Sequence, residues 1–307
     1  PLHVNKQRKV IKSPLRPSSV VSLPILKTIS SKACKTSMNE HSKNRFSKVA
    51  SLLNGQRVLV AFSGGVDSSV LALLAKKHAD KVVLLTIDSI LSPQSELVNA
   101  KKVADELNIE SEIIHVDHLD DDEFAKNPRD RCYLCKKKLA KIWTDYAGKR
   151  GLDMVVEGTS ASDLKGHRPG ERALREMGVT SPFLDAGMTK NEIRQYAREN
   201  GLSVADRPSM ACLATRFPYG VQITKKHVNM VDAIEQAVRR IFEVHTIRAR
   251  FHGDLVRIEV GSDERNKLFD TNKLDELNNL AKSVGFTYVA IDAKGYRTGA
   301  MDELASS

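Results

Sequence analysis

The sequence predicts an α/β protein, with a parallel-sheet domain followed by a smaller C-terminal α+β domain. Between Arg57 and about Leu184, short β-branched runs alternate with helical patterns, as in successive βαβ units. A glycine turn, Ser63-Gly64-Gly65, joins the first of these runs to the first helical pattern. Beyond Gly220 the order changes to helix, hairpin, helix, strand. With 307 residues, 41% of them hydrophobic, the chain has apolar material for one large core or two modest ones. No run of about 18 apolar residues is present to cross a membrane.

Residues 1–44 read as a disordered basic leader. Its first 37 residues hold eight basic side chains and no acid, while the whole chain carries +10, so the remainder is close to neutral at +2. Nucleic-acid binding by the folded part is therefore not expected. Met38 is an alternative start, and Cys34 falls in the leader. Strands are expected at Val58–Phe62, Lys81–Ile87, Glu112–Val116 and Asp153–Glu157. Ser92-Pro93 should cap and begin a helix over Gln94–Leu107. Thr189 to Glu192 spells a capping box for a helix ending near Gly201. Leu202–Gly220 holds two prolines without a period and reads as an ordered loop. Thr224 should cap a helix to about Glu243, and strands 246–252 and 255–260 should pair across Gly253-Asp254. A helix over 274–284 and a strand over 288–292 complete the second unit. The expected division is 45–204 and 205–307.

The strongest chemical signal is Val58–Phe62 followed by Ser63-Gly64-Gly65-Val66-Asp67-Ser68 and a helical run. A strand that delivers a glycine turn onto a helix N-terminus gathers backbone N–H groups around the positive end of the helix dipole, which suits phosphate. Ser63, Ser68 and Ser69 are expected to add hydroxyl donors. The spacing fits neither a Walker A loop nor a dinucleotide-binding loop.

Residue for residue, the turn resembles the SGGxDS motif of PP-loop ATP pyrophosphatases. Glu157–Leu164, Arg168-Pro169-Gly170, Ser181-Pro182, Pro208–Arg216 and Pro218-Tyr219-Gly220 resemble the LarE family within that group, over about Arg45 to Asp292. The Gly158-Thr159 loop departs from the family in having Ser160 and Ser162. The resemblance implies ATP and Mg2+ as cofactors, with Ser63, Gly64, Gly65, Val66, Asp67, Ser68, Gly158 and Thr159 binding nucleotide. It implies that a carboxylate of pyridinium-3,5-biscarboxylic acid mononucleotide is adenylated and that sulfur then displaces AMP. Asp67, Asp163 and Cys212 take the catalytic positions, with Asp163 a Mg2+ ligand. A cytoplasmic homo-oligomer, hexameric by resemblance, and a small-molecule partner are implied as well.

Outside the leader, Cys132, Cys135 and Cys212 are an odd number, suited to metal or sulfur chemistry rather than to a disulfide framework. Leu139, Ile142, Trp143 and Tyr146 make an apolar helical stripe, which puts Cys132 and Cys135 at that helix's N-terminus. There the dipole, Arg129 and Arg131 should favour thiolates. Some LarE proteins sacrifice the Cys212 equivalent, and others resemble carriers of a 4Fe-4S cluster on three cysteines. The Cys132–Cys135 pair favours the cluster. For the substrate phosphate the expected clamp is Arg216, Arg248 and Arg250, the last two on one strand face, with Ser209 or Thr215. Glu235 reads as an exposed helix position, and His167, His227 and His252 receive no role. A tRNA-thiolating enzyme with the same cluster is the main alternative, and a non-catalytic ATP-binding regulator is the alternative of another class.

Overall fold

The first helix of the structure, α1 (Glu40–Leu53), is one the hydrophobic period did not announce. It forms because Asn39 accepts the Ser42 N–H at 2.8 Å and because Phe46, Val49 and Leu53 share a buried face. The computed structural model describes residues 38–164, 169–208 and 211–297. The leader as far as residue 37, Ser209, and Arg168 with His167 lie outside the described residues.

Four parallel strands follow: β1 (Arg57–Ala61), β2 (Lys81–Asp88), β3 (Ser111–His115) and β4 (Met154–Val156), in the order β3-β2-β1-β4. The helices interleaved with and following them are α2 (Val66–His78), α3 (Gln94–Leu107), α4 (Asp122–Ala125), α5 (Arg131–Lys149), α6 (Pro169–Glu176), α7 (Pro182–Asp185) and α8 (Lys190–Glu199). Both faces of the sheet are covered, which is why its strands read as unbroken apolar runs rather than alternating ones. Val58, Val60, Leu84 and Val156 enter one core with residues of α1, α2, α3 and α8, whereas Leu59, Val83, Leu85 and Val155 enter another with Trp143 and Ala140 of α5.

A second sheet has β5 (Ile247–His252) antiparallel to β6 (Leu255–Val260), and β6 parallel to β7 (Tyr288–Ile291). Gly253 turns the hairpin at φ 70°. Helices α9 (Lys225–Phe242) and α10 (Thr271–Val284) supply Val231, Ile234, Val238 and Leu277 to its core. The core of the second sheet takes in Leu91 and Phe124 as well as residues from Leu213 onward, and the chain from Met38 onward is one compact unit. Among the described residues no helix is long and apolar enough to cross a membrane.

The capping box at Thr189 and Glu192 and the Thr224 cap form as the sequence predicts. At α3 the cap is shifted: Pro93, which offers no side-chain acceptor, takes the N-cap position in place of Ser92. The described residues of the segment 202–220 are irregular apart from a 3-10 turn at Leu213–Arg216.

Candidate functional site

The segments that leave the carboxyl ends of all four parallel strands carry the chemistry: the Ser63 turn after β1, Ser89 after β2, His118 after β3 and Glu157-Gly158 after β4. This is where open α/β sheets bind ligands. Phe62 keeps the chain on the sheet by donating its N–H to Leu85 O at 2.9 Å, and Gly64 then turns at φ 69°. A Cβ on Gly64 would lie 2.6 Å from the Ala100 Cα, so α3 presses against the turn and admits only glycine there. Asn99 Nδ2 donates to Gly64 O at 2.7 Å. Gly65 caps α2 without a side-chain hydrogen bond, leaving amides of the first turn for an external acceptor. Gly158 closes over that turn, since a Cβ there would stand 3.0 Å from Ser68 N. The serines differ from expectation. Ser68 and Ser69 are buried and donate to Gly65 O at 3.2 and 2.8 Å, so their hydroxyls brace the loop instead of facing an anion.

Beside the turn stands a carboxylate group. Asp67 Oδ1 is buried without a hydrogen-bond partner. Burial chiefly, together with the neighbouring Asp163 and Glu157 and against Lys190 and Arg194, pushes its carboxyl up to about 6. Asp163 is otherwise placed: Lys190 Nζ lies 2.8 Å from one oxygen and Ser160 Oγ donates to the other at 2.7 Å. Burial works to raise Asp163, but these bonds outweigh it and hold the carboxyl below its ordinary range. Thr159 Oγ1 donates to buried Glu157 at 2.8 Å, and the Ser181 hydroxyl donates to the same carboxylate. A hard cation with oxygen ligands suits the orphaned Asp67 oxygen, whereas Asp163 has both oxygens engaged.

Cys132 and Cys135 lie on the first turn of α5, and Cys212 precedes the 3-10 turn. All three are free thiols. They lie within electrostatic reach of one another, because Cys212 and Cys132 both act on Cys135. The thiolate stabilisation expected at the helix N-terminus is overturned at Cys135. Burial pushes Cys135 up to about 12, and although Cys212 is exposed as a residue, protein atoms around its sulfur raise its thiol too. Arg131 makes no bond to a thiol, being buried, bonded to Asn127 and 4.5 Å from the Tyr219 ring centre, but its charge still works to lower the Cys212 thiol. Among the described residues no three His, Cys, Asp or Glu side chains stand ready to hold a metal ion, so joint ligation by the cysteines requires their side chains to turn inward. Cys135 is held by His118, with Sγ 3.3 Å from Nε2.

A clasp joins the two cysteine segments. Asn127, buried at φ 56°, donates to Pro218 O at 2.7 Å, while Gly220 N donates to Asn127 O at 2.9 Å and Ile223 N to Ala125 O at 2.8 Å.

The three arginines do assemble, but not as equals. Arg216, fully buried, is paired with Glu235 through bonds of 2.7 and 2.9 Å, and its Nη1 also donates to the carbonyls of Ala211 and Cys212. Glu235 is therefore a buried counter-ion and not an exposed helix position; its Oε1 also accepts Ala249 N–H at 2.9 Å. Arg250 is bound twice by Glu259 and donates to Thr215 O. Thr215 Oγ1 is itself turned to Cys212 O at 2.8 Å. Arg248 has no carboxylate ion pair among the described residues. Its Nη1 donates to Ile247 O at 2.7 Å and its guanidinium lies 4.8 Å from the Tyr296 ring centre. Burial and the charge of Arg216 lower its proton affinity.

Sequence reasoning missed Glu157, Lys190, His118, Asn127, Glu259 and Tyr296. Glu157 was legible, since it opens the motif that contains Gly158 and Thr159; Lys190 was hidden inside the capping box.

Residues 57–127 match the family described as queuosine biosynthesis protein QueC. The chain is 32% identical over 250 residues to an uncharacterised protein of Synechocystis, covering 81% of this chain and 92% of that one. It is 33% identical over 257 residues to the pyridinium-3,5-bisthiocarboxylic acid mononucleotide synthase of Lactiplantibacillus plantarum, covering 83% and 92%. A tRNA-specific 2-thiouridylase of Limosilactobacillus fermentum is 30% identical over 188 residues, covering 49% of each chain.

Proposed function

Because the chain belongs to the family of the pyridinium-3,5-bisthiocarboxylic acid mononucleotide synthase, the LarE family, we propose that it is an ATP-dependent sulfurtransferase that converts a carboxylate of pyridinium-3,5-biscarboxylic acid mononucleotide into a thiocarboxylate. The observation that carries the proposal is the phosphate turn, with the open amides of α2 and the orphaned Asp67 oxygen beside it.

Pyrophosphate is gripped by the turn while a substrate carboxylate oxygen attacks the α-phosphorus, and the bond to the β-phosphate breaks. The acyl-adenylate so formed has AMP as its leaving group, and sulfur then displaces it at the acyl carbon. Asp67 is the residue suited to hold Mg2+, which when bound offsets the charge developing on pyrophosphate. Lys190 and Asp163 set the charge around it. Arg248 takes the substrate phosphate, since its charge is the one not already met by a carboxylate, while Arg216 and Arg250 fix the loop and strand around it.

We extend the proposal to the sulfur source. Cys132, Cys135 and Cys212 would hold a 4Fe-4S cluster, which when bound would supply the sulfur to be transferred; their mutual electrostatic influence and their number support this. The working form is a cytoplasmic homo-oligomer, hexameric by resemblance, which light scattering would check.

The test is nucleotide product analysis with Mg2+ and the biscarboxylic mononucleotide. Pyrophosphate is expected in step with AMP, whether AMP is free or held in the acyl-adenylate; ADP, or no product, overturns the proposal. Anaerobic reconstitution tests the sulfur source, and fewer than about three irons per chain refutes the cluster, since a cubane carries four. The tRNA reading is tested by the same assay with tRNA as acceptor. The half-length match to the thiouridylase and the near-neutral charge outside the leader speak against it.

A further inference from the structure

One buried chain of polar contacts is left unused by this mechanism. Ser89, at the carboxyl end of β2, lies with its Oγ 3.1 Å from His118 Nδ1, and His118 Nε2 lies 3.3 Å from Cys135 Sγ. Ser89 and His118 are each only 3% exposed, and the imidazole packs on Phe124 with ring centres 5.5 Å apart. Cys212 meets the Ala214 backbone instead, and neither it nor Cys132 has an imidazole partner among the described residues, so the three sulfurs are inequivalent.

We infer that His118, fixed by Ser89, is a positioning residue that holds the Cys135 sulfur by a hydrogen bond. This rests on the proposed sulfur chemistry only for the iron-bound protein. A neutral imidazole has one N–H and one bare nitrogen. While Cys135 is a thiol, its S–H donates to bare Nε2 and Nδ1–H donates to Ser89. The serine can serve either tautomer, because its oxygen accepts Leu91 N–H at 3.3 Å and retains both a lone pair and a hydrogen. A ligated thiolate has no hydrogen to give, so toward it the ring would be the donor, from Nε2–H, with the Ser89 hydroxyl meeting Nδ1. Hydrogen bonds to ligating sulfur withdraw electron density and so raise a cluster's potential.

Two measurements test this on the full chain. In the reduced, metal-free protein, the infrared S–H band that disappears in Cys135→Ala should move to higher frequency in His118→Phe; an unmoved band overturns the inference. In the reconstituted protein the cluster potential should fall in His118→Phe and recover in part in His118→Gln, which restores a donor. Equal potentials in all three overturn it. If His118→Phe does not fold, the Gln variant and Ser89→Ala carry both readouts, with Ser89→Ala weakening the bond in the same directions. A wild-type protein that binds no iron refutes the cluster but leaves the infrared result to decide the role of His118.

Discussion

Asp67→Asn separates stability from catalysis. The Asp67 carboxyl stands at about 6 in the folded chain against an ordinary value of 3.8. A raised carboxyl favours the neutral form, so its stabilising contribution is present below the unfolded value and is lost as pH rises from there through about 6. Above that, the ionised group costs at most roughly 3 kcal/mol, because each tenfold change in proton affinity is about 1.4 kcal/mol. Asparagine keeps the shape without the charge. Denaturant unfolding at pH 7.5 should show the variant more stable than the wild type by about 1–3 kcal/mol, with the gap closing to within about 0.5 kcal/mol at pH 4. ATP–pyrophosphate exchange should nevertheless fall by about a hundredfold or more, in the range seen when one electrostatic contact to a transition state is removed. A variant less stable than the wild type at pH 7.5, or a gap that does not widen between pH 4 and 7, would refute the argument that burial dominates at this site.

Gly64→Ala should cost about 2–4 kcal/mol of stability, from a left-handed backbone and a Cβ forced against Ala100, and should abolish ATP protection in thermal unfolding. Glu235→Gln removes the charge facing Arg216 and should cost about 3–5 kcal/mol by chemical denaturation; the double variant Arg216→Met/Glu235→Leu should recover much of that loss, and a fully additive double would contradict the pairing. Arg248→Ala should raise KM for the mononucleotide by about 10–100-fold and leave KM for ATP unchanged; equal loss of both would remove Arg248 from the substrate site.

The phosphate turn was legible because its chemistry is local: strand, glycines and helix start lie within about a dozen consecutive residues, and each element carries its own signal. The parallel sheet and the hairpin were legible for the same reason. What could not be read were partners distant in sequence. Nothing near Glu235 announces that Arg216 lies against it, so a helical glutamate defaulted to the surface. Likewise Ser68 and Ser69 were assigned outward, since only the folded turn places Gly65 O within their reach. His118 was overlooked because proximity to motifs along the chain was the criterion, whereas its neighbours Ser89 and Cys135 come from two other segments. The thiol environment was misjudged because a helix N-terminus was weighed without the burial that opposes it.

The clasp around Asn127 uses an amide side chain and main-chain groups, and no sulfur takes part in it. Segments carrying cysteines almost eighty positions apart are thus held together by a framework indifferent to what they carry. It follows that thiols can be gained or lost one at a time without dismantling the architecture that presents them. A single scaffold of this kind is free to change how its sulfur is supplied while keeping its nucleotide chemistry intact.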